Sequence, residues 1–396
     1  MAFDYLRILP YRRRIKRLIA RTAAGETKPV RGITVVGPFA RAASISKVLR
    51  DFVRSLKDAG VPFQTLDTDP RRQVPHSDTD GILTPIEEFD VRRYDHVVEI
   101  LMSIVPDIDG IDKARIVFWE FADGLASGYP YLLDVRHIIA MSNFCAEACR
   151  RELPKVKVTK VLYPFRFAPG NVPESVEIRH RFGIPKDAFM VFFNFDYGSG
   201  FGRKNPDGAL RAFAKAFTGA KDAVLVFKTM GAKSHPDRVA SLMQLAEDLG
   251  VADRFVSIDT YVPERELYGL SNACDVYLSL HRGEGFGLTL VEAMAMGKPV
   301  VCTDWSSTTE FCNPKCTIPI ACKVRAVEKG MLDNPAYNGV SGWAEADADA
   351  AIMALKRLYE DRSLCHAIGD AARVSIRSQF SIENFRRSIM SFLEGA

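Results

Sequence analysis

The sequence predicts an α/β protein built from two doubly wound domains, and three observations carry that prediction: the length, the composition and the alternation of short apolar runs with amphipathic stretches. At 396 residues the chain exceeds one ordinary core and suits two domains with a cleft between them, since domains typically hold roughly 100 to 200 residues. Apolar residues make up 47% and charged residues 26%, without low-complexity runs or internal repeats, which argues against disordered and solenoid classes. The alternation is the pattern of parallel sheets wrapped by helices.

Residues 1–22 hold Arg7, Arg12, Arg13, Arg14, Lys16, Arg17 and Arg21 against Asp4, while Ile8, Tyr11, Ile15, Leu18 and Ile19 recur at helical spacing. This predicts a basic amphipathic helix. Two fates stay open for it: lying on an anionic lipid surface, or docking on its own protein. Next, Ile33–Val36 reads as a buried strand, followed by Gly37 and a helix through Ile45, Leu49, Phe52 and Leu56, with further strands at Ala114–Phe118 and His137–Met141. Four prolines and two glycines between Val161 and Pro185 suggest an interdomain linker. The second half offers strands at Met190–Phe195, Ala223–Phe227, Arg254–Ile258, Asp275–Leu280 and Pro299–Cys302. Asn205 and Pro206 form a cap-and-first-turn signal ahead of Leu210, Phe213 and Phe217. The expected boundaries are an arm at 1–30, domains at 31–165 and 189–375 joined by a linker at 166–188, and a C-terminal helix at 376–396 that packs back on the first domain.

Composition sets further limits. The eight cysteines are sparse, and Cys145, Cys149, Cys274, Cys302 and Cys365 sit in apolar runs, which favours a reducing, cytoplasmic compartment. Cys312, Cys316 and Cys322 match no zinc spacing, so no metal site is expected there. No apolar stretch reaches the roughly 20 residues of a membrane span, and the N-terminus lacks the apolar centre of a signal peptide. A net charge of +4 is too small to point to nucleic acid.

The chemistry concentrates after the strand that ends at Leu280, in His281-Arg282-Gly283-Glu284-Gly285-Phe286-Gly287-Leu288-Thr289-Leu290-Val291-Glu292. Glycines permit a tight turn and close approach of a ligand to the backbone. A helix starting near Gly287 aims its unpaired amides and the positive end of its dipole at the same spot, which suits a phosphate. Glu284 precedes that helix and Glu292 lies more than one turn along it, so two hydroxyl-accepting carboxylates flank a phosphate-sized gap. A hydroxyl-rich group on each side of a diphosphate describes a nucleotide sugar.

The segment resembles glycosyltransferase family 4, retaining enzymes of GT-B type with two facing Rossmann-like domains. Glu284 to Glu292 matches the signature of two glutamates separated by seven residues, with Gly-Phe-Gly after the first. Similarity continues through Ala293–Val300, and Thr303–Ser306, Glu310-Phe311 and Trp343-Ala344-Glu345 look like members that build bacterial surface polysaccharides. The resemblance implies that Glu292 holds the ribose hydroxyls, that Glu284 contacts the donor sugar, and that the backbone at Gly285, Phe286, Gly287, Leu288 and Thr289 holds sugar and diphosphate. Arg203 and Lys204 match the basic pair that binds the donor diphosphate, where two cations beside a helix N-terminus would stabilise the departing charge. Lys228, read as ending a strand, is a further donor contact. The reaction implied is hexose transfer, with mannose from a guanosine donor favoured by analogy, onto a glycan or lipid-linked glycan acceptor, with retention, no metal and no covalent enzyme intermediate.

The first half departs from the family. Gly37, expected as a further donor contact, is followed by Pro38-Phe39-Ala40-Arg41-Ala42-Ala43-Ser44 with no second glycine, and Phe118-Trp119-Glu120-Phe121 stands where many relatives place a histidine. Glu120 is therefore either a polar contact to the sugar or a buried structural carboxylate, and His281 either a base or a packed strand-end imidazole. The acidic pairs Asp67/Asp69, Asp78/Asp80 and Asp347/Asp349 read as loop and cap acids. Two rivals remain in view. A hydrolase using Glu284 and Glu292 as acid and base fits poorly with carboxylates on one strand-turn-helix unit, and a nucleotide-sugar-binding protein without turnover is the alternative. A dehydrogenase is disfavoured, since no GxGxxG follows a first strand.

Overall fold

The computed structural model describes the chain apart from residues 1, 42, 70, 72, 76, 77, 101–103, 168, 169, 171, 328–331, 333–336, 338 and 396, and apart from the side chains of 2–9, 131 and 134. Ala42 of the turn after Gly37, and the side chains of Asp4, Arg7 and Ile8, thus lie outside the described residues. The chain forms two compact units: Met1–Phe118 with Tyr131–Arg166 and Phe380–Ala396, and Trp119–Pro130 with Phe167–Gln379.

The first unit is a parallel sheet of six strands, β1 (Val30–Gly37), β2 (Phe63–Asp67), β3 (Tyr94–Ile100), β4 (Asp112–Val117), β5 (His137–Ala140) and β6 (Lys157–Lys160), in the order β2-β1-β3-β4-β5-β6. Helices Ser44–Asp58, Asn143–Glu152 and Ile382–Leu393 cover it. The last of these is tied in by Ser388 Oγ, which accepts the Leu162 amide at 2.8 Å, and by an edge-on contact of Phe385 with Phe52. The N-terminal helix, Ala2–Ala23, docks on its own unit: Ile15, Leu18 and Ile19 enter a core cluster with Val36, Leu66, Phe89, Val91, Val97 and Val105. Burying each such side chain stabilises by about 1.5–3 kcal/mol. Among the described residues, Ile15, Leu18 and Ile19 of the apolar face are therefore covered by the chain's own unit.

The second unit is again six parallel strands, β7 (Phe189–Asp196), β8 (Ala223–Met230), β9 (Phe255–Asp259), β10 (Val276–Ser279), β11 (Val300–Thr303) and β12 (Ile318–Ile320), in the order β12-β11-β10-β7-β8-β9. A separate antiparallel hairpin pairs β13 (Cys322–Ala326) with β14 (Gly342–Ala346). Strand order reverses between β10 and β7, and in open α/β sheets ligands bind beyond the carboxyl ends of strands at such a point.

Several sequence boundaries move. The stretch expected as a linker contains a helix, Ser175–Arg181, which belongs to the second unit because the buried Arg179 guanidinium donates to the carbonyls of Ala188 and Ala273 and pairs with Asp275. Residues 119–130, expected in the first domain, group with the second unit, and 376–379 complete the helix Arg362–Gln379 there. Arg254 falls in a 3-10 turn before β9, its guanidinium held by the carbonyls of Phe217 and Ala220.

Candidate functional site

The site forms where β7 and β10 end. After β7 a four-residue helix, Phe201–Lys204, carries the two cations and gives way at Asn205 to the helix Pro206–Ala216. Asn205 has φ +56°, a left-handed conformation that asparagine tolerates better than most residues. Its Oδ1 accepts the Gly208 amide at 3.1 Å as the helix cap, and its Nδ2 donates to the Leu280 carbonyl at 2.8 Å, tying the end of β10 to the start of this helix. A side chain at position 208 would meet the Asn205 amide group at 2.5 Å, so glycine is required.

After β10 the turn runs against Glu120, Ser306, Ser307 and Thr308. A Cβ at Gly283 would stand 2.3 Å from the Glu120 carbonyl oxygen, so only glycine lets the main chain at Glu120 cross here. Gly287 has φ +91° and caps the helix Leu288–Ala295, and a Cβ there would strike Thr308 at 2.6 Å. The Glu284 amide donates to Ser306 Oγ at 2.9 Å, and Ser307 Oγ donates to the Glu284 carbonyl. Ser306 has φ +64°, a conformation that costs about 1–3 kcal/mol in a non-glycine residue and that the turn around it holds in place.

This scaffold gathers four charged groups. Lys204 Nζ lies 2.5 Å from Glu284 Oε1, while Arg203 lies 3.5 Å from Glu284 Oε2 and 3.6 Å from Glu120 Oε1. Burial works against the charge on Glu284, but Lys204 and Arg203 outweigh it and hold the carboxyl at about 2. Burial draws the Lys204 ammonium below its ordinary range, with Glu284 opposing, and pushes the Glu120 carboxyl up, with Arg203 opposing. The two cations are not equivalent. Arg203 donates to the carbonyls of Gly283 at 2.7 Å and Ser199 at 2.6 Å and to the Tyr337 hydroxyl at 3.2 Å, so it knits the walls together. Lys204 has Glu284 as its direct partner and is the cation an arriving anion can recruit.

The other expected site residues fall as follows. Glu292 is buried on the second turn of the helix Leu288–Ala295. The first amides of that helix, at Leu288 and Thr289, have no carbonyl a turn back to bond, the general state of helix N-termini, and they follow directly on Gly285, Phe286 and Gly287. The Thr289 hydroxyl is committed elsewhere. Tyr277 Oη must donate to Asn194 Oδ1 at 2.8 Å, so Thr289 donates to it at 2.7 Å. Lys228 does not end its strand: β8 runs on to Met230, and the Lys228 ammonium, drawn down to about 8 by burial, donates to the Thr229 carbonyl. His281 is a packed imidazole between Ser279 at 3.2 Å and Thr308 at 3.3 Å, pulled down to about 4 by burial, and is neutral at physiological pH. Gly37 lies in the first unit, where a Cβ would meet Leu49 at 2.5 Å and Ile100 at 2.7 Å; close packing explains it. Among the acidic pairs, Asp347 caps the helix Ala348–Glu360, and Asp69 is held by Arg71 at 2.6 Å.

Sequence reasoning passed over Tyr337 and Ser307, which come from distant segments without a motif, and reached Ser306 only through the resemblance of Thr303–Ser306. It named Glu345 only by resemblance; the carboxylate takes Arg282 in a two-point contact at 2.8 and 2.9 Å while the guanidinium covers the Trp343 ring at 4.5 Å.

The profile of the family described as Glycosyl transferases group 1 matches residues 176–375, just over half of the chain. The chain belongs to this family. Among characterised relatives, a D-inositol 3-phosphate glycosyltransferase of Corynebacterium jeikeium is 32% identical over 209 residues, covering 52% of this chain and 44% of the relative. The stretches matched span 30% to 45% of such relatives' length. Two solved structures share the fold of this group 1 chain. A glycosyltransferase from Rickettsia africae superimposes with a TM-score of 0.65 at 14% identity, covering 92% of this chain and 98% of its own. HepE of Anabaena, solved with UDP and glucose, gives 0.64 at 15% identity, covering 93% and 100%.

Proposed function

We propose that the protein is a retaining glycosyltransferase that moves a hexose from a nucleoside-diphosphate sugar to a glycan or lipid-linked glycan acceptor in bacterial surface-polysaccharide assembly. The observation that carries this reading is the Lys204–Glu284 pair at 2.5 Å, set at the reversal of strand order and directly before the helix that bears Glu292. The UDP and glucose held by HepE support a nucleotide-sugar donor here as well, and the relatives' names support glycosyl transfer.

In this reading the donor diphosphate meets the Leu288 and Thr289 amides and takes the Lys204 ammonium from Glu284. Glu284, so released, accepts hydrogen bonds from sugar hydroxyls, and Glu292 accepts those of the ribose. Arg203 stays in place between Gly283, Ser199 and Tyr337, with Glu120 as its counter-charge. As the bond from the anomeric carbon to the diphosphate oxygen breaks, the acceptor oxygen bonds to that carbon on the same face, and its proton passes to the departing oxygen. The positive charge of Lys204, Arg203 and the helix dipole does the work a metal does elsewhere. Mannose is the first sugar to test, and the cytoplasm, at the inner membrane face for a lipid-linked acceptor, is the proposed place of action.

The test is incubation with GDP-mannose, UDP-glucose and UDP-N-acetylglucosamine, with and without an acceptor glycolipid, following nucleoside diphosphate release and the anomeric configuration of the product by NMR. Acceptor-dependent release with the donor's configuration kept is the expected result. Donor binding without release under any acceptor would identify a binding protein instead.

A further inference from the structure

The two sides of the N-terminal helix are used differently. Ile15, Leu18 and Ile19 are seated in the first unit, whereas Arg13, Arg14, Arg17 and Arg21 are exposed and line a cavity of about 760 Å³. Ile86 and Glu87 line it as well, and Glu87 lies 3.6 Å from Arg14. Four cations against one carboxylate leave this cavity strongly positive. Its volume is that of a small-molecule site, roughly 300–1,000 Å³.

Ile86 also lines a second cavity, of about 330 Å³, which lies beyond the carboxyl ends of β1 and β2. Here the polar groups are Tyr11, Asp67, Asp69 and Thr84. Thr84 Oγ1 accepts the Thr65 amide at 2.9 Å, which leaves its proton for a ligand, and Tyr11 donates to the Asp67 carbonyl at 3.1 Å. Burial pushes the Tyr11 phenol up to about 12, so its proton stays on. Burial works against the charge on Asp69, but Arg71 and Arg41 outweigh it and draw the carboxyl below its ordinary range, so it remains an acceptor. Hydroxyls and carboxylates at the end of a sheet suit the hydroxyl groups of a sugar.

We propose that this two-part groove binds a phosphorylated sugar, with its hydroxyls in the Tyr11–Asp67–Thr84 part and its phosphate against Arg13, Arg14, Arg17 and Arg21. Resting on the reading above, that ligand is the acceptor, which narrows the acceptor class to phosphate-bearing saccharides. A lipid surface suits the groove less well, because a planar array of headgroups reaches cations on an outward-curving face. These four line a cavity together with Ile86 and Glu87, and Ile15, Leu18 and Ile19 of the same helix are buried in the core.

The experiment uses the full chain without nucleotide. Glucose 6-phosphate, glucose and inorganic phosphate are titrated by calorimetry into the wild type and into a variant carrying Arg13→Gln, Arg17→Gln and Arg21→Gln. All three positions are exposed, and an unchanged melting temperature checks the fold. The wild type should bind glucose 6-phosphate about tenfold or more tighter than either simpler probe, since charge-assisted hydrogen bonds add to those of the hydroxyls. The variant should lose that preference while binding nucleoside diphosphate as before, and Tyr11→Phe should weaken glucose 6-phosphate without affecting inorganic phosphate. Equal affinity for inorganic phosphate and glucose 6-phosphate would overturn the sugar half. Loss of sedimentation with phosphatidylcholine–phosphatidylglycerol vesicles in the variant, with no glucose 6-phosphate binding to the wild type, would assign the arginines to lipid and overturn the proposal. Failure of nucleotide binding with glucose 6-phosphate behaving as described would sink the donor reading and leave the groove standing.

Discussion

The turn after β10 and the turn after β1 each join a helix to a central parallel strand beside the reversal of strand order in its sheet, yet they are filled in opposite ways. After β10, glycines at 283 and 287 let the backbone pass close to Glu120 and Thr308, and the space carries charge: Glu284, Lys204 and Arg203. After β1, Phe39 itself fills the turn, fully buried; its amide donates to Asp67 at 3.2 Å and its carbonyl accepts from Arg50 at 2.7 Å. The helices that follow, Leu288–Ala295 and Ser44–Asp58, are alike in having no side-chain cap. One fold thus supports a glycine-opened, charged turn in one unit and a turn filled by an aromatic side chain in the other. The difference lies in what each turn allows near its backbone, and it is visible in the glycine count.

That contrast can be broken from either side. The largest effect should come from Phe39→Ala, which leaves a cavity and should cost about 3–5 kcal/mol in denaturant unfolding of the first unit, with nucleotide affinity unchanged below the transition. Loss of nucleotide affinity in the folded variant would contradict the assignment of this turn to packing. Glu284→Gln should cut turnover about a hundred- to a thousandfold in initial-rate assays, because the charge that positions Lys204 and meets the sugar is gone. A fall of less than about threefold would remove Glu284 from the site.

A pH series sharpens the same point. His281 titrates at about 4 in the fold, below the ordinary 6.5, so the neutral form is the folded one. Its contribution is complete above pH about 6.5 and is lost as pH falls toward 4, amounting to about 3 kcal/mol. His281→Asn should flatten the stability profile across that window, measured by urea unfolding at each pH. Glu284, held at about 2, adds a further loss of the same sign below pH about 4.3, as its carboxyl is protonated. Smallest of the four is Gly37→Ala, where overpacking against Leu49 and Ile100 should cost about 1–3 kcal/mol without altering donor binding.

Much of the second unit could be read from the chain because its evidence is local. Met190–Phe195, Ala223–Phe227 and Asp275–Leu280 are mostly apolar runs, and Glu284, Gly287 and Glu292 fall within nine residues of one another. The first unit hid more. β2 carries Gln64, a polar residue that is buried because Thr34 at 2.8 Å and the Asp90 carbonyl satisfy its amide, so no hydrophobic period marks the strand. β3 follows directly on Asp90-Val91-Arg92-Arg93, three of them charged. The docking of the N-terminal helix depended on partners as far off as Val105, and a periodic apolar face is the same whether a core or a bilayer covers it. In the site itself, Tyr337 reaches Arg203 across 134 residues, and Ser306 reaches Glu284 across 22. Such pairings follow from the closed fold and leave no spacing in the sequence.

The central claim is that Lys204 is held in reserve by Glu284 for a donor diphosphate, while Arg203 keeps the walls together. Calorimetric titration of GDP and UDP into the wild type and into Lys204→Met tests it most directly. The account predicts that the preferred nucleotide binds the variant at least about tenfold more weakly, with its salt dependence reduced, since one charge-assisted contact is lost. Equal affinity in the two proteins, with the melting temperature of the variant intact, would contradict it.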